Sequence, residues 1–296
     1  MTITNPATVT TVTTSTAPQA PSLHDPDPAA RAAAVRALAD DVRTGLAARG
    51  AGDALAWALA DADPAVRGAA IAALRDLPDV YLGDDGVRAL LLASTAGRDE
   101  TVRTAAAGLL TGLAADAAEL YEQGLQDGEP YVRVQAVLAL VALNAFGGVA
   151  EAADDTSREV RVAVAEGLAR LARPAGLPVL EHLLADHDPV VRMAALDAAA
   201  SLGVPPELEG RVVTATAHAS WQVRRRAVIA LAEADPEVAV RPLIRALRDR
   251  IVDVRRSAVQ SLEQWATDRA EVVTALTETL ADPDPGVRTQ VRWALA

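Results

Sequence analysis

The stretch Asp63-Pro64-Ala65-Val66-Arg67, DPAVR, decides how this chain folds, because it returns in altered form along almost the whole sequence. The same frame appears as DPAAR, DETVR, EPYVR, SREVR, DPVVR, SWQVR, IVDVR and DPGVR. Its arginines are Arg31, Arg67, Arg103, Arg133, Arg161, Arg192, Arg224, Arg255 and Arg288, separated in turn by 36, 36, 30, 28, 31, 32, 31 and 33 residues. A unit of this length cannot bury a core alone, so the units must stack on one another.

Each unit reads as two helices. Asp or Glu before Pro, as at Asp63-Pro64, Glu129-Pro130, Asp188-Pro189 and Asp284-Pro285, gives an N-cap followed by a first-turn proline. After the arginine, apolar residues fall at +3, +4 and +7, as in Ala70, Ile71, Leu74 and in Ala136, Val137, Leu140. That spacing is helical and excludes strand alternation. A second amphipathic segment precedes the cap, for example GDALAWALAD (52–61), LPVLEHLLAD (177–186) and RAEVVTALTETLAD (269–282). The earlier segment is called helix A and the arginine-bearing one helix B.

These repeats resemble the HEAT-repeat family, in particular its short bacterial form grouped with phycobilisome-lyase-like repeats, over residues 25–296. The resemblance implies an all-α fold, a right-handed α-solenoid of about nine two-helix repeats, with the B helices lining its concave surface. It implies little about function, because the family includes scaffolds, lyases, hydroxylases and nucleic-acid binders.

Composition agrees with such a fold. Hydrophobic residues make up 51% of the chain but aromatics only 3%, so alanine, leucine and valine must fill the interior. There is no cysteine, which excludes disulfides and thiolate metal sites. No apolar run reaches the roughly 20 residues that span a bilayer. Residues 1–24, rich in threonine and proline, read as a disordered tail without the pattern of a secretory signal. A cytoplasmic location is the expectation.

A cation in the first turns of a helix opposes the helix dipole, so the repeated arginine needs acids nearby. They stand four residues before it (Asp27, Asp63, Asp99, Glu129, Asp188, Asp284) and six before it (Asp25, Asp61, Asp127, Asp155, Asp186, Asp249, Asp282). A guanidinium fork can bridge these carboxylates or those of the next repeat, so the nine arginines are read as a structural ladder. The seventh and eighth repeats depart from the rule: Ser220 and Ile251 replace the capping acid, His218 the earlier one, and Trp221 the proline.

Positions +1, +2 and +5 after the arginine lie off the apolar stripe and should face the groove. In the middle repeats they are Val134, Leu138, Val162 and Met193, flanked by Glu166 and Asp197; further on come Arg225, Arg226, Arg256 and Gln260. An apolar floor ending in arginines suits a protein or peptide segment carrying acidic groups. The function expected is therefore a non-catalytic scaffold or adaptor, with Trp221 among its contact residues.

Other chemistries are weaker. The formal net charge is −12, carried by residues 1–200 with 27 acids against 15 arginines, while residues 201–296 balance at 13 and 13. Nucleic-acid binding is disfavoured, since phosphate contact needs a basic stripe; only Arg224–Arg256, with nine arginines against five acids, offers a short one. The pair of positions after each ladder arginine never reads His-Glu, the pattern of iron-bearing deoxyhypusine hydroxylase-like members, and no metal or cofactor is expected. Two alternatives rest on resemblance alone: a HEAT-like DNA glycosylase using Trp221, Asp197 and Arg225, and a bilin-lyase-like protein holding a small molecule. The apolar last turn, with Trp293 and Leu295, predicts self-association or partner docking at that end.

Overall fold

The computed structural model describes residues 22–77 and 79–296. The disordered tail expected from the sequence lies, for residues 1–21, outside the described residues. Among the described residues there are sixteen α-helices, four short 3₁₀ turns and no strand. They divide into two units, residues 1–115 and 116–296. Unit 1 holds α1 (Pro28–Arg43), α2 (Ala51–Trp57), α3 (Pro64–Asp76) and α4 (Asp84–Ala96), and the division falls inside α5 (Glu100–Gly124). Unit 2 holds α6 (Pro130–Ala142), α7 (Phe146–Glu151), α8 (Arg158–Leu171), α9 (Leu177–Leu184), α10 (Pro189–Ser201) and α11 (Pro206–Ala215). It continues with α12 (Trp221–Ala230), α13 (Pro236–Ala246), α14 (Val252–Glu263), α15 (Ala270–Thr279) and α16 (Pro285–Ala294).

The caps form as the sequence dictates. Asp63 accepts the Ala65 N–H at 2.8 Å, Asp188 that of Val190 at 2.7 Å and Asp284 that of Val287 at 2.9 Å, each beside a proline at the first helical position. The +3, +4 and +7 residues are buried: Ala70, Ile71 and Leu74 in unit 1, Ala136, Val137 and Leu140 in unit 2. Within unit 2, helices α6, α8, α10, α12, α14 and α16 pack each on the next, and α9, α11, α13 and α15 form the companion layer. The buried apolar residues form two clusters, one ending at Ala106 and the other beginning at Leu125.

One repeat departs from the two-helix expectation. Helix B of the third repeat does not turn back; it runs on as α5 for 25 residues. Its sequence, ETVRTAAAGLLTGLAADAAELYEQG, holds no proline or asparagine to stop it, and alanine favours continuation. Only Val102, Ala105 and Ala106 of this helix are buried, and Leu120 is 64% exposed.

The ladder exists, and its geometry selects among the candidate acids. Each arginine reaches back to carbonyls of the loop before its own helix, as Arg161 does to Asp155 at 2.7 Å. The rest of the fork reaches forward to a carboxylate of the next repeat. Arg31 meets Asp61 at 2.9 and 2.8 Å, Arg67 meets Asp99 at 3.0 and 2.7 Å, and Arg133 meets Asp155 at 2.7 and 2.8 Å. Arg161 meets Asp186 at 2.7 and 3.1 Å, Arg224 meets Asp249 and Arg255 meets Asp282 at 2.7 and 2.9 Å each. The acid six residues before the next arginine is the usual partner. It also accepts the N–H two residues on, as Asp186 does from Asp188 at 2.8 Å. Gly97 holds that place before Arg103, and Asp99 substitutes.

Three arginines depart from the ladder expectation. Among the described residues Arg103, Arg192 and Arg288 bond backbone carbonyls only, those of Gly97, of Asp186 and Ala185, and of Asp282 and Pro283. For Arg192 the reason is local, because His218 occupies the place of the partnering acid. The rungs are desolvated to different degrees: the Arg161 and Asp186 side chains are 6% and 4% exposed, those of Arg67 and Asp99 10% and 40%.

Candidate functional site

The +1 and +5 residues of successive B helices in unit 2 share one face, and they stay partly open because no further layer covers them. Val134, Leu138, Val162 and Met193 are half-buried, while Glu166, Asp197 and Gln260 are exposed. Between α8 and α10 this face opens into a cleft of about 420 Å³, bounded by Val162, Glu166, Arg170, Val190, Met193 and Asp197 among others. Of the apolar residues expected from sequence, Val162 and Met193 bound this cleft, and Val190 joins them: it stands two residues before Arg192 and is 40% exposed. Its place, one helical turn before Met193, is the signal that reading +1 and +5 alone passes over.

The arginines are arranged differently from a row of free anchors. Arg226 gives Nη1 to Asp197 at 3.1 Å, from α12 back to α10. Arg256 gives Nη2 to Asp284 at 2.8 Å, from α14 forward to the cap of α16, and its buried Nε has no partner among the described residues. Two of the three cations are therefore matched within the fold. Arg225, half-buried, forms no ion pair among the described residues. Burial pushes the Asp197 carboxyl above its ordinary value, and Arg226 offsets this only in part. Asp284 is held below the usual range by Arg256 and by the Val287 N–H.

Trp221 opens α12 and packs partly buried against the apolar core. It takes the position of the first-turn proline. His182 lies on α9, away from this face, with Nε2 2.9 Å from Asp154. Among the described residues no group of His, Asp and Glu is placed to hold a metal ion. None of the described helices is long and apolar enough to cross a membrane. Trp293, in the last turn of α16, is 72% exposed, while Leu295 packs partly against the core.

Stacked helix pairs with a recurrent arginine, matched at six junctions by an acid of the next repeat, define an α-helical repeat protein of the solenoid class. The family model for HEAT repeats matches residues 19–111, 147–212 and 208–296. The chain belongs to the HEAT-repeat family. The stretch left between the first two matches contains the second half of α5. Among solved structures, a chain from the Pds5–Scc1 complex is similar with a TM-score of 0.61 at 10% identity, over 92% of this chain and 55% of that one. The Escherichia coli protein YibA gives a TM-score of 0.47 at 19% identity, over 82% of this chain and 91% of that one. A designed armadillo repeat protein in complex with the peptide (KR)4 gives 0.44 at 18%, over 70% and 96%. The likeness to the Pds5–Scc1 chain speaks for the fold alone. No curated protein sequence matches the chain significantly.

Proposed function

We propose that this protein is a binding scaffold that holds a segment of another protein against the B-helix face of unit 2. The observation that carries this reading is the cleft between α8 and α10, where Val162, Val190 and Met193 remain open to solvent beside the carboxylates Glu166 and Asp197. Apolar side chains with a few polar groups around them are the usual make-up of a peptide-receiving groove. Repeat solenoids supply such a face because every repeat presents the same positions on the same side.

The pairing of Arg226 and Arg256 with internal acids changes the expected anchor for acidic groups of the partner. Arg225 alone keeps that role, and the contact is otherwise apolar, through Val134, Leu138, Val162 and Met193. The base-excision alternative has less support, since Trp221 packs on the core and Asp197 is bonded to Arg226.

The test is affinity capture from a lysate by the wild type and by a Val162→Glu/Met193→Glu variant. Both positions are half-buried on the open face, so the variant should keep the wild-type helical signal and melting temperature. Proteins retained by the wild type and lost by the variant support the reading. An unchanged set of captured proteins refutes it, and Arg225→Glu then reports whether charge alone directs binding.

A further inference from the structure

The repeat array contains its own control. In five rungs an aspartate does two jobs: it accepts the N–H two residues on, and it binds the guanidinium of the repeat before. Asp61, Asp155, Asp186, Asp249 and Asp282 all behave this way. At the junction of α10 and α12 the same place is taken by His218. Its Nδ1 does the first job, accepting the Ser220 N–H at 3.0 Å. An imidazole brings no negative charge, so the second job is left undone.

Arg192 accordingly has, among the described residues, neutral partners only, the carbonyls of Asp186 and, at 3.2 Å, Ala185. Its Nη1 has no bond among the described residues, and the side chain is half-buried in the first turns of α10, where the helix dipole disfavours a cation. The neighbouring acids are committed. Asp186 binds Arg161, and Asp188 caps α10 through Val190 and lies 4.0 Å from Arg158. Arg224, whose Nη1 lies on the His218 carbonyl, is matched by Asp249. His187, on the same loop as Asp186, is 85% exposed with Nδ1 3.3 Å from the Asp186 carboxylate. One cation at this edge thus lacks the counter-charge that the equivalent arginines possess.

We propose that the Arg192–His218 edge is a receptor for an external carboxylate. The guanidinium supplies Nη1, its one unbonded group, because Nε and Nη2, the pair that meets the carboxylate in the intact rungs, here bond the Asp186 and Ala185 carbonyls. The His218 ring, with Nδ1 already accepting a hydrogen bond, supplies Nε2–H in place of the backbone amide. A single unmatched positive charge with one free donor group on each residue, Nη1 of Arg192 and Nε2 of His218, fits the two oxygens of a carboxylate monoanion, either a small carboxylic acid or an Asp or Glu side chain of a partner. The inference is independent of the B-helix face, since Arg192 and His218 lie at the loop edge of the repeats.

The full chain has four histidines, so the ring signals can be assigned by substitution. Acetate is titrated at fixed pH against sodium chloride of equal ionic strength, and the histidine rings are followed by ¹H–¹⁵N correlation NMR. A saturable shift of the His218 ring with acetate, lost in Arg192→Gln and accompanied by a rise in melting temperature, supports the receptor. In His218→Asp, which supplies an internal carboxylate, acetate should no longer raise the melting temperature above the chloride control. A second titration uses a short peptide with one glutamate: a shift there identifies a protein side chain as an acceptable source, and a shift with acetate alone identifies a small acid. Equal responses to acetate and chloride, or a His218 shift that survives Arg192→Gln, overturns the proposal.

Discussion

Replacing Arg161 with alanine removes the fork that joins the fifth repeat to the sixth. Two charge-assisted bonds to Asp186 are lost, at 2.7 and 3.1 Å, together with the bond to the Asp155 carbonyl at 2.7 Å. What remains is a carboxylate that is 4% exposed and keeps one strong donor, the Asp188 N–H at 2.8 Å. Breaking one partner of a buried pair costs about 3–5 kcal/mol, chiefly because the other charge stays behind. The remaining N–H places Asp186 near the lower end, about 3 kcal/mol. For a unit of this size, at about 2–4 °C per kcal/mol, melting should fall by roughly 6–12 °C. Arg192→Ala is the matched comparison, since that arginine occupies the same place in the next repeat but binds carbonyls alone. Its loss should cost about 1 kcal/mol, or roughly 2–4 °C. Circular dichroism melting of both variants at neutral pH makes the comparison. Adding Asp186→Asn to Arg161→Ala keeps an acceptor for the Asp188 N–H while removing the stranded charge, and should recover part of the loss. Equal drops for the two arginines, or no recovery in the double variant, would refute the assignment of the ladder's strength to desolvated ion pairs.

Three further outcomes follow from the same geometry. The rung acids are held below the ordinary carboxylate range, Asp61 and Asp155 chiefly by the guanidinium groups of Arg31 and Arg133. At Asp186, Asp249 and Asp282 burial pushes upward, but the guanidinium and backbone N–H bonds more than offset it. On acidification the unfolded chain takes up these protons first, so the rung contribution is complete above about pH 5 and fades below about pH 4; urea midpoints across this range, from neutral pH downward, should be flat and then fall. His218→Asp should rebuild the missing rung and raise stability by about 1 kcal/mol; a lower urea midpoint at neutral pH counts against it. Gly286→Ala drives a Cβ into Nη2 of Arg256, so that side chain must leave Asp284. Loss of an ion pair whose side chains are 42% and 27% exposed is offset by the helix preference for alanine, so the net change should stay within about 1 kcal/mol, measurable by urea melting.

The repeat, its two-helix content and the burial pattern were legible because they rest on local rules: a cap, a proline and 3.6-residue spacing all coincide at one arginine. The choice of rung acid was open in one dimension, since both the fourth and the sixth residues before an arginine are acidic; only stacking shows which one faces the preceding repeat. The continuation of α5 is not legible because repeat symmetry promises a turn that the local residues do not encode. Likewise the partners of Arg226 and Arg256 lie 29 and 28 residues away, at Asp197 and Asp284. A complementary charge at about one repeat length was the available sign. Reading each repeat by itself hides it.

Because every rung takes its cation from one repeat and its anion from the following one, no repeat in the ladder is electrically self-contained. Splicing the array between Arg161 and Asp186 would orphan a charge on both sides of the seam. Splicing between Arg192 and His218 would break no rung and would part only exposed pairs, Arg226 with Asp197 or Arg211 with Glu181, so that seam is the place where repeats can be swapped in or out of unit 2 with least change to the buried electrostatics.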